Sequence, residues 1–455
     1  MSNPAETVAR DARAAYQASQ LIDSSERDSA LLKIRQILID NKDDVLSANQ
    51  KDLDAASPLV ESGNISKSMF SRLSLQSSSK FDSMLQGILD VAQLPCPTDQ
   101  ITYAKELDDG LELYRVTCPI GVLLVIFEAR PEVVVNIASL ALKSGNAAIL
   151  KPGKETLHTT SILSQLIQKA LSSTPFPPTF IQTVSTRSEI STLLSQDKFI
   201  DLVMPRGGAE LVRSIKGQTK IPVMGHADGL CHAYLDESAD AAKAERVVLD
   251  SKLSYPAACN ALETLLIHRS LLTSLWPTLS ANLLSNNITL YLDESTREHL
   301  HSSVLASHTS QIHSSIPETY YIEHLSPTLS VKTVDNVTEA INHIAEHGSK
   351  HTETIVTENE VIAKAFMRGC DAAGVYWNAS TRFADGFRYG FGTEVGISTG
   401  KTHARGPVGL EGLCIYKYLA RSKADNGHVS LDFGSAEEGK KVYTHKTIEN
   451  PTLPF

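Results

Sequence analysis

The side chain with the strongest case for chemistry in this sequence is Cys259. It lies in a run of small residues, Pro256-Ala257-Ala258-Cys259-Asn260-Ala261, and an apolar stretch of strand type follows at 262–267. Small neighbours leave room for a substrate to approach the sulfur, and a strand would hold the loop still, so this thiol is a candidate nucleophile. On these residues alone the other interpretation is stronger, because most intracellular cysteines are small buried side chains.

Two further loops contain residues that suit a phosphate-bearing ligand. Lys151-Pro152-Gly153-Lys154 follows one apolar run, and Pro205-Arg206-Gly207-Gly208 follows another and precedes a helical pattern. A glycine pair at the start of a helix lets backbone N–H groups approach a phosphate, and the helix dipole adds attraction. Glycines that serve only as tight turns explain either loop equally well. The sequence has neither standard nucleotide-binding fingerprint, Gly-x-Gly-x-x-Gly or Gly-x-x-x-x-Gly-Lys-Ser/Thr.

The elements that must position these loops read as an α/β protein. At 455 residues the chain is long for one domain, so two or three packed units are expected. Apolar runs at 121–127, 147–150, 180–184 and 201–204 alternate with helical patterns, and a second alternating stretch beyond Asp236 has strands at 262–268 and 330–333. Strands that are apolar on both faces imply parallel sheets covered by helices. Ligands of such sheets bind at the carboxyl ends of the strands, where both glycine-containing loops lie.

The composition narrows the classes of partner. Hydrophobic residues make up 42% and charged residues 21% of the chain, which is typical of a globular protein. The formal charge of −10 argues against general nucleic-acid binding, because neutralising phosphates requires a basic face. No apolar run approaches the length of about 18 residues that a membrane helix needs. Residues 1–6 lack the basic and apolar regions of a signal peptide, so we expect a cytoplasmic protein with no membrane partner.

The cysteines indicate neither disulfides nor a metal centre. All six are widely spaced, without a Cys-x-x-Cys pair or the ligand spacing of zinc sites. In a reducing compartment we expect them to be free thiols. His226, Cys231 and His232 are close in sequence, but they lack further partners at ligand spacing, so we expect no resident metal.

Seven segments occur in one order over roughly residues 10 to 420 and give the chain a family resemblance. They are Phe127-Glu128-Ala129-Arg130-Pro131, Lys143-Ser144-Gly145-Asn146, Lys151-Pro152-Gly153-Lys154-Glu155, Pro205-Arg206-Gly207-Gly208, Cys259-Asn260-Ala261-Leu262-Glu263-Thr264, Asn378-Ala379-Ser380-Thr381-Arg382 and His403-Ala404-Arg405-Gly406-Pro407. Together they resemble the aldehyde dehydrogenase superfamily, and specifically its glutamate-5-semialdehyde dehydrogenase branch. By that resemblance Cys259 matches the family's nucleophile, which outweighs the interpretation of an inert thiol.

The resemblance implies an α/β fold of the aldehyde dehydrogenase type, with two Rossmann-type parallel α/β domains and a small β oligomerisation element. We place a helical N-terminal region and the NADPH-binding domain at 1–235, and the catalytic domain with the nucleophilic cysteine at 236–400. A return strand and a polar tail occupy 401–455. We expect a homo-oligomer, and we expect the tail after Arg421 to be loosely attached.

The resemblance also assigns the cofactor contacts. Lys151 matches the family's lysine at the adenosine ribose, and Lys154 stands where NAD-preferring relatives have a glutamate. A carboxylate would repel a ribose 2′-phosphate, whereas a second ammonium attracts it, so NADPH is favoured over NADH. The other predicted contacts are Arg206, Gly207 and Gly208 at the pyrophosphate and Glu323 at the nicotinamide ribose.

Anionic groups of the substrate need cationic partners. Arg130 and Arg382, the latter on the Ser380-Thr381 loop, are predicted to bind the phosphate and the substrate carboxylate, because a guanidinium grips either anion with two bonds. Both arginines could instead lie at the surface or bridge domains. The backbone N–H of Cys259 and the side chain of Asn260 are predicted to hold the developing oxyanion, on proximity alone.

A general base that hydrolytic relatives carry is missing from its usual place. Those enzymes have a glutamate in a Glu-Leu-Gly-Gly-type segment, and the similar place here reads Val223-Met224-Gly225-His226-Ala227-Asp228-Gly229. An enzyme that hands a thioester to hydride gains by lacking a base that activates water. His226 or Asp228 could stand in for that base.

The resemblance therefore implies NADPH-dependent reduction of L-glutamyl 5-phosphate to L-glutamate 5-semialdehyde, through a thioester and with release of phosphate, in proline biosynthesis. The enzyme alternatives are a coenzyme A-acylating or an ordinary aldehyde dehydrogenase on the same fold, distinguished by the acyl acceptor. The alternative from another class is a non-catalytic structural member of the superfamily, which a nucleotide-binding assay would identify. An association with glutamate 5-kinase is a further possibility that the resemblance suggests.

Overall fold

Two parallel sheets covered by helices and one antiparallel sheet form the fold in the computed structural model, which describes residues 4–65, 67–76, 80–184, 188–434 and 439–454. The helices are α1 (Pro4–Ser19), α2 (Ser25–Asp40), α3 (Lys42–Glu61), α4 (Lys67–Leu73), α5 (Lys80–Gln93), α6 (Val133–Ser144), α7 (Leu157–Leu171), α8 (Ser188–Leu193), α9 (Ala209–Gln218), α10 (Ala241–Leu253), α11 (Trp276–Ser285), α12 (Glu294–Glu298), α13 (Ser302–Ser307), α14 (Val337–His347) and α15 (Glu360–Gly369). The strands are β1 (Ile101–Asp108), β2 (Leu111–Pro119), β3 (Val122–Phe127), β4 (Ala147–Lys151), β5 (Ile181–Thr183), β6 (Leu202–Arg206), β7 (Cys231–Leu235), β8 (Leu262–His268), β9 (Thr289–Leu292), β10 (Ile312–Ser314), β11 (Thr328–Val334), β12 (Thr352–Val356), β13 (Gly374–Trp377), β14 (Gly396–Ser398), β15 (Gly406–Val408), β16 (Cys414–Ser422) and β17 (Lys446–Thr447).

The first parallel sheet has the strand order β5-β4-β3-β6. Strands β3 and β4 are buried along their whole length, as their continuous apolar sequences require, and helices on both faces cover them. The register places Lys151 beside Ile126 and Arg206 beside Phe127. The predicted strands of this sheet are confirmed, and their carboxyl ends bring the two glycine-containing loops to one edge.

The second parallel sheet has seven strands in the order β10-β9-β11-β8-β7-β12-β13. One face is covered by an apolar cluster that includes Trp276, and the other by a cluster that includes Phe366. The predicted strand at 262–268 is β8, and the one at 330–333 lies within β11. Strand β7 pairs with β8 and β12 and therefore belongs to the second parallel sheet. The predicted domain bounds at 235 and 400 stay predictions.

The third sheet is antiparallel, in the order β16-β2-β1-β17. Its strand β16 lies at an edge and exposes Tyr416 and Tyr418. An exposed edge strand can pair with another chain. The predicted role of this element in oligomerisation stays a prediction.

The expectation of a loosely attached tail is wrong for its described part. Strand β17 pairs with β1, and Ile448 and Leu453 pack against a small core that contains Tyr114 and Val116. Apolar residues spaced along an otherwise polar tail hold its described part against the third sheet, and residues 435–438 and 455 of the tail lie outside the described ranges.

Within the described ranges, no helix is both long and apolar enough to span a membrane. Residues 1–3, on which the signal-peptide expectation partly rests, lie outside those ranges.

Candidate active site

Cys259 lies in the loop between α10 and β8, at the amino edge of the second sheet. The Ala258 N–H donates to the Tyr255 carbonyl at 3.1 Å, and the thiol of Cys231 donates to the Cys259 carbonyl at 3.3 Å. A Cβ placed on Gly229 would lie 2.1 Å from that same carbonyl oxygen, so only glycine allows this backbone approach. Cys259 itself is half-buried, whereas Cys231 is fully buried. The loop is therefore rigid while its sulfur is not sealed inside the core.

Two histidines flank the sulfur, His226 from the segment before β7 and His351 from the residue before β12. One nitrogen of each ring and the Cys259 Sγ all lie within 4.8 Å of one another. The Nδ1 of His226 donates to the Ile397 carbonyl at 2.8 Å, and burial lowers the pKa of this ring, so it is held neutral. Of the two candidate stand-ins for the missing glutamate base, His226 lies beside the sulfur. The carboxylate of Asp228 instead pairs with Arg213.

Glu323 lies near the Cys259 loop, because its side chain binds the backbone of Gly229, which packs against Cys259. Its Oε1 accepts a hydrogen bond from the Gly229 N–H at 2.9 Å, and burial raises the pKa of this carboxyl. The carboxylate is thus held beside the glycine that packs against Cys259. A nicotinamide that delivers hydride to a carbon on the sulfur needs its ribose close by, so this position fits the predicted ribose contact.

The small polar residues of the 380–384 loop bind it to the Cys259 loop. The Thr381 hydroxyl donates to the Asn260 carbonyl at 2.7 Å, and the Asn260 Nδ2 donates to the Ala384 carbonyl at 2.8 Å. The Ser380 hydroxyl accepts from the Ser251 hydroxyl at 3.1 Å. Ser380, Thr381 and Asn260 are buried. These three side chains hold the loops together. The direct substrate and oxyanion contacts predicted for them stay predictions.

Arg382 is the residue of the 380–384 loop whose charge interacts with that of Cys259. Burial lowers the pKa of its guanidinium, and the charge of Cys259 is among those that oppose the shift. Its Cζ lies 6.0 Å from the centre of the Tyr255 ring. Arg72, from α4, lies 5.8 Å from the same centre and donates to the Tyr255 hydroxyl at 2.8 and 3.1 Å. Two guanidinium groups thus meet at one tyrosine beside the nucleophile, an arrangement that favours an anion.

The carboxyl edge of the first sheet holds the predicted adenosine and pyrophosphate contacts. Lys151 is buried at the end of β4 and donates to the Pro152 carbonyl at 2.6 Å, and Lys154 is exposed on the following turn. Gly208 caps α9, and a Cβ on it would meet nothing within 4 Å. The N-terminus of α9 therefore opens onto free space, where backbone N–H groups can meet a phosphate.

Arg206 is directed from this edge toward the catalytic loop. Burial lowers the pKa of its guanidinium, and the charges of Glu394 and Cys259 act to raise it, which places the group within electrostatic reach of the sulfur. Its Nη2 lies 3.9 Å from a Glu394 oxygen. Arg130 is half-buried and is a second cation acting on Arg206. Arg206 and Arg382 thus act on the thiol as cations, and Arg130 acts on Arg206. The carboxylates of Glu394 and Glu323 belong to the same site.

Three residues of this site were not found from the sequence, namely Arg72, Tyr255 and His351. His351 directly precedes a parallel strand, and the residues before parallel strands share one edge, so recognising β12 would have placed it near Cys259. Tyr255 belongs to the Cys259 loop itself. Nothing in the sequence near Arg72 indicates a site residue, because its helix is positioned by a tertiary cluster that contains Leu73 and Ala129.

Comparison with known proteins agrees with this geometry. The family model described as the aldehyde dehydrogenase family matches residues 2–298. The probable gamma-glutamyl phosphate reductase of Schizosaccharomyces pombe is 50% identical over 96% of this chain and 96% of that protein. The gamma-glutamyl phosphate reductase of Saccharomyces cerevisiae is 46% identical over 98% of each. The crystal structure of the enzyme of that name from Thermotoga maritima superposes with a TM-score of 0.87 at 33% identity, covering 94% of this chain and 100% of the other.

Two parallel α/β units with a cysteine loop between them define an oxidoreductase of the aldehyde dehydrogenase type. The chain belongs to the aldehyde dehydrogenase family. Within that family its similarity is to proteins named gamma-glutamyl phosphate reductase, at 41–50% identity among the curated relatives compared.

Proposed function

We propose that this protein reduces L-glutamyl 5-phosphate to L-glutamate 5-semialdehyde with NADPH and releases phosphate, as a step of proline biosynthesis. The observation that carries the proposal is the near full-length similarity to reductases of that name, combined with a half-buried cysteine within reach of the charges of Arg206 and Arg382. The phosphate and the carboxylate of the substrate are negatively charged at neutral pH. Cationic side chains are therefore needed for the substrate to approach a thiolate. The cytoplasmic location, the homo-oligomer and the association with glutamate 5-kinase remain predictions.

In this proposal Cys259 carries the acyl group. Its thiolate attacks the acyl carbon, the carbon–sulfur bond forms, and the carbon–oxygen bond to phosphate breaks. Bound NADPH supplies the hydride that reduces the resulting thioester. When the carbon–sulfur bond then breaks, the aldehyde leaves and the thiolate of Cys259 is restored. The backbone N–H of Cys259 and the side chain of Asn260 are the candidate donors to the oxyanion.

The substrate has two anionic parts, its phosphate and its distal carboxylate, and we assign different arginines to each. Arg206 and Arg382 act on the charge of Cys259, so we assign them to the phosphate next to the reacting carbon. For Arg206 this assignment replaces the cofactor pyrophosphate predicted from the resemblance. The predicted substrate contact of Arg130 stays a prediction. Arg72 reaches the loop from outside, past Tyr255, so we assign it to the distal carboxylate. Both assignments rely on bidentate guanidinium contacts.

The acyl acceptor tests the proposed function. We expect glutamate semialdehyde to reduce NADP only when phosphate is present, because phosphate is the group that returns to the thioester in the reverse direction. The measurement is the initial rate of NADPH formation with phosphate, coenzyme A or no added acceptor. A full rate without phosphate would identify an ordinary aldehyde dehydrogenase, and a rate that depends on coenzyme A would identify an acylating one.

Reversing the charge of Lys154 tests the cofactor preference. We expect Lys154→Glu to lower kcat/KM with NADPH by about 10- to 100-fold, because an exposed ammonium facing the ribose 2′-phosphate is replaced by a repelling carboxylate. The rate with NADH is expected to stay constant or rise. Lys220→Glu makes the same charge change past the far end of α9 and serves as the control. Equal losses with both cofactors would remove Lys154 from the 2′-phosphate site.

Neutralising Arg72 tests the carboxylate assignment. We expect Arg72→Gln to raise the KM for glutamate semialdehyde about 10-fold or more while kcat changes little, because the distal carboxylate does not take part in bond making. Tyr255→Phe removes the hydroxyl that orients Arg72 and should give a smaller effect in the same direction. Arg246→Gln, an exposed arginine on α10, is the control. A fall in kcat at unchanged KM would contradict the assignment.

A further inference from the structure

We propose that Cys259, His226 and His351 form a binding site for a divalent metal ion of the borderline-soft class, with Zn²⁺ as the type, and that this ion blocks the nucleophile. The three residues come from the segments before β8, β7 and β12. The strands are parallel and share one sheet, so their amino ends bring sequence-distant ligands to one place. One sulfur and two imidazoles, with an open fourth position, resemble the ligand number of exchangeable zinc sites.

The distances suit a metal after a small contraction. The three ligand atoms lie within 4.8 Å of one another. Metal bonds of about 2.3 Å to sulfur and about 2.0–2.1 Å to nitrogen in a tetrahedron put ligand atoms about 3.3–3.6 Å apart. Closing the difference needs about 1 Å of side-chain movement. Rotation of the Cys259 side chain, which is half-buried, can supply much of it.

Both imidazoles are oriented as metal ligands usually are. The Nδ1 of His226 donates to the Ile397 carbonyl at 2.8 Å, and the Nδ1 of His351 lies 2.9 Å from the Thr352 hydroxyl. A hydrogen bond at one ring nitrogen fixes the ring and leaves the other nitrogen for the metal. The Nε2 of His351 is buried and has no hydrogen-bond partner among the described residues, although the residue is only 1% exposed. A bound ion would satisfy this nitrogen.

The chemistry of binding is a simple exchange of a proton for a metal. The Cys259 thiol releases its proton to solvent, and a sulfur lone pair forms the bond to the ion; no electron is transferred. Sulfur and imidazole nitrogen select zinc-like cations over Mg²⁺ and Ca²⁺, which require oxygen ligands. A lone pair engaged by the metal cannot attack an acyl carbon. That inhibitory consequence depends on the proposed function, whereas the binding itself does not.

Cobalt titration of the resting, full-length protein tests the binding directly. After treatment with a chelator, addition of Co²⁺ is expected to give the ultraviolet charge-transfer band of a cobalt–thiolate bond together with the visible bands of four-coordinate cobalt. Zn²⁺ should displace these bands and protect Cys259 from iodoacetamide. Cys259→Ser should abolish the charge-transfer band. His351→Ala and His226→Ala should each weaken binding by about 10- to 100-fold or more.

The controls separate this site from other thiols and from loss of folding. His347→Ala alters a histidine of another cluster and should leave the titration unchanged. His351→Gln keeps side-chain volume and should behave like His351→Ala, with far-ultraviolet circular dichroism confirming the fold. Absence of the band in the unsubstituted protein, or its survival in both histidine variants, would overturn the proposal. A failed phosphate test with intact cobalt binding would overturn the proposed function alone.

Discussion

Replacing Cys259 by alanine is expected to abolish reduction of the acyl phosphate, with a loss in kcat on the order of 10⁴- to 10⁶-fold. Without the sulfur no thioester forms, and the hydride has no activated acyl group to reduce. NADPH binding should persist, because most of the predicted cofactor contacts lie at the carboxyl edge of the first sheet. The measurements are the steady-state rate of NADPH oxidation and a fluorescence titration of NADPH binding.

A second cysteine provides the matched control for this result. Cys118 on β2 is half-buried like Cys259, and burial raises the pKa of its thiol, so Cys118→Ala should retain full activity. Iodoacetamide should inactivate the unsubstituted protein at the rate at which the peptide that contains Cys259 is alkylated. Retained turnover in Cys259→Ala, or loss of turnover in Cys118→Ala, would place the nucleophile elsewhere.

The arrangement of the site explains which parts of it the sequence could predict. Lys154 and Gly208 follow strands of the first sheet and Arg206 ends one, and the rule that ligands bind at carboxyl ends is what led to their prediction. The nucleophile obeys a different rule, because Cys259 precedes its strand and lies at the amino edge of the second sheet. The site forms where the carboxyl edge of one sheet faces the amino edge of the other. Pattern alone does not show how two sheets face each other.

Buried charge explains why part of the second sheet was missed. Strand β12 reads Thr352-Glu353-Thr354-Ile355-Val356, and a glutamate in its middle argues against a fully buried strand. In the structure Glu353 is 0% exposed and lies 3.0 Å from the Nδ1 of His232. A hydrophobicity pattern does not recognise a buried pair of polar residues on neighbouring strands, so it does not predict β12. For the same reason it does not place His351, which directly precedes β12.

Tertiary packing explains the absence of Arg72 from the predicted site. The residue lies in the helical N-terminal region, where sequence indicated only amphipathic helices. Ala129 adopts a φ of +51°, an uncommon value for a residue other than glycine, and it belongs to a small buried apolar cluster that also contains Leu73 of α4. The loop after β3 therefore contributes to the packing of α4, which carries Arg72. The family motif that contains Ala129 could be recognised, but its contact with α4 could not.

Removing one charge of the buried Lys252–Glu263 pair is expected to destabilise the protein by about 3–5 kcal/mol. Lys252 is at the end of α10 and Glu263 near the start of β8, so the pair closes the base of the Cys259 loop. Their Nζ and Oε2 atoms lie 2.9 Å apart, and both side chains are 0% exposed. Burial raises the pKa of Glu263 to about 7 and lowers the pKa of Lys252, which shows that each charge is costly without its partner. Urea unfolding of Lys252→Met and of Glu263→Gln measures the loss.

The double variant Lys252→Met/Glu263→Leu separates an unpaired charge from lost packing. With both charges gone no ion is left buried, so most of the stability lost in Lys252→Met should return. Lys243→Met breaks the exposed pair with Glu358, whose atoms lie 2.8 Å apart with both side chains about half exposed, and should cost far less stability than Lys252→Met. If the double variant is as unstable as Lys252→Met, the loss of stability comes from the lost attraction between the two groups. An unpaired buried charge is then not its cause. If Lys252→Met costs no more than Lys243→Met, the charge does not remain buried when its partner is removed.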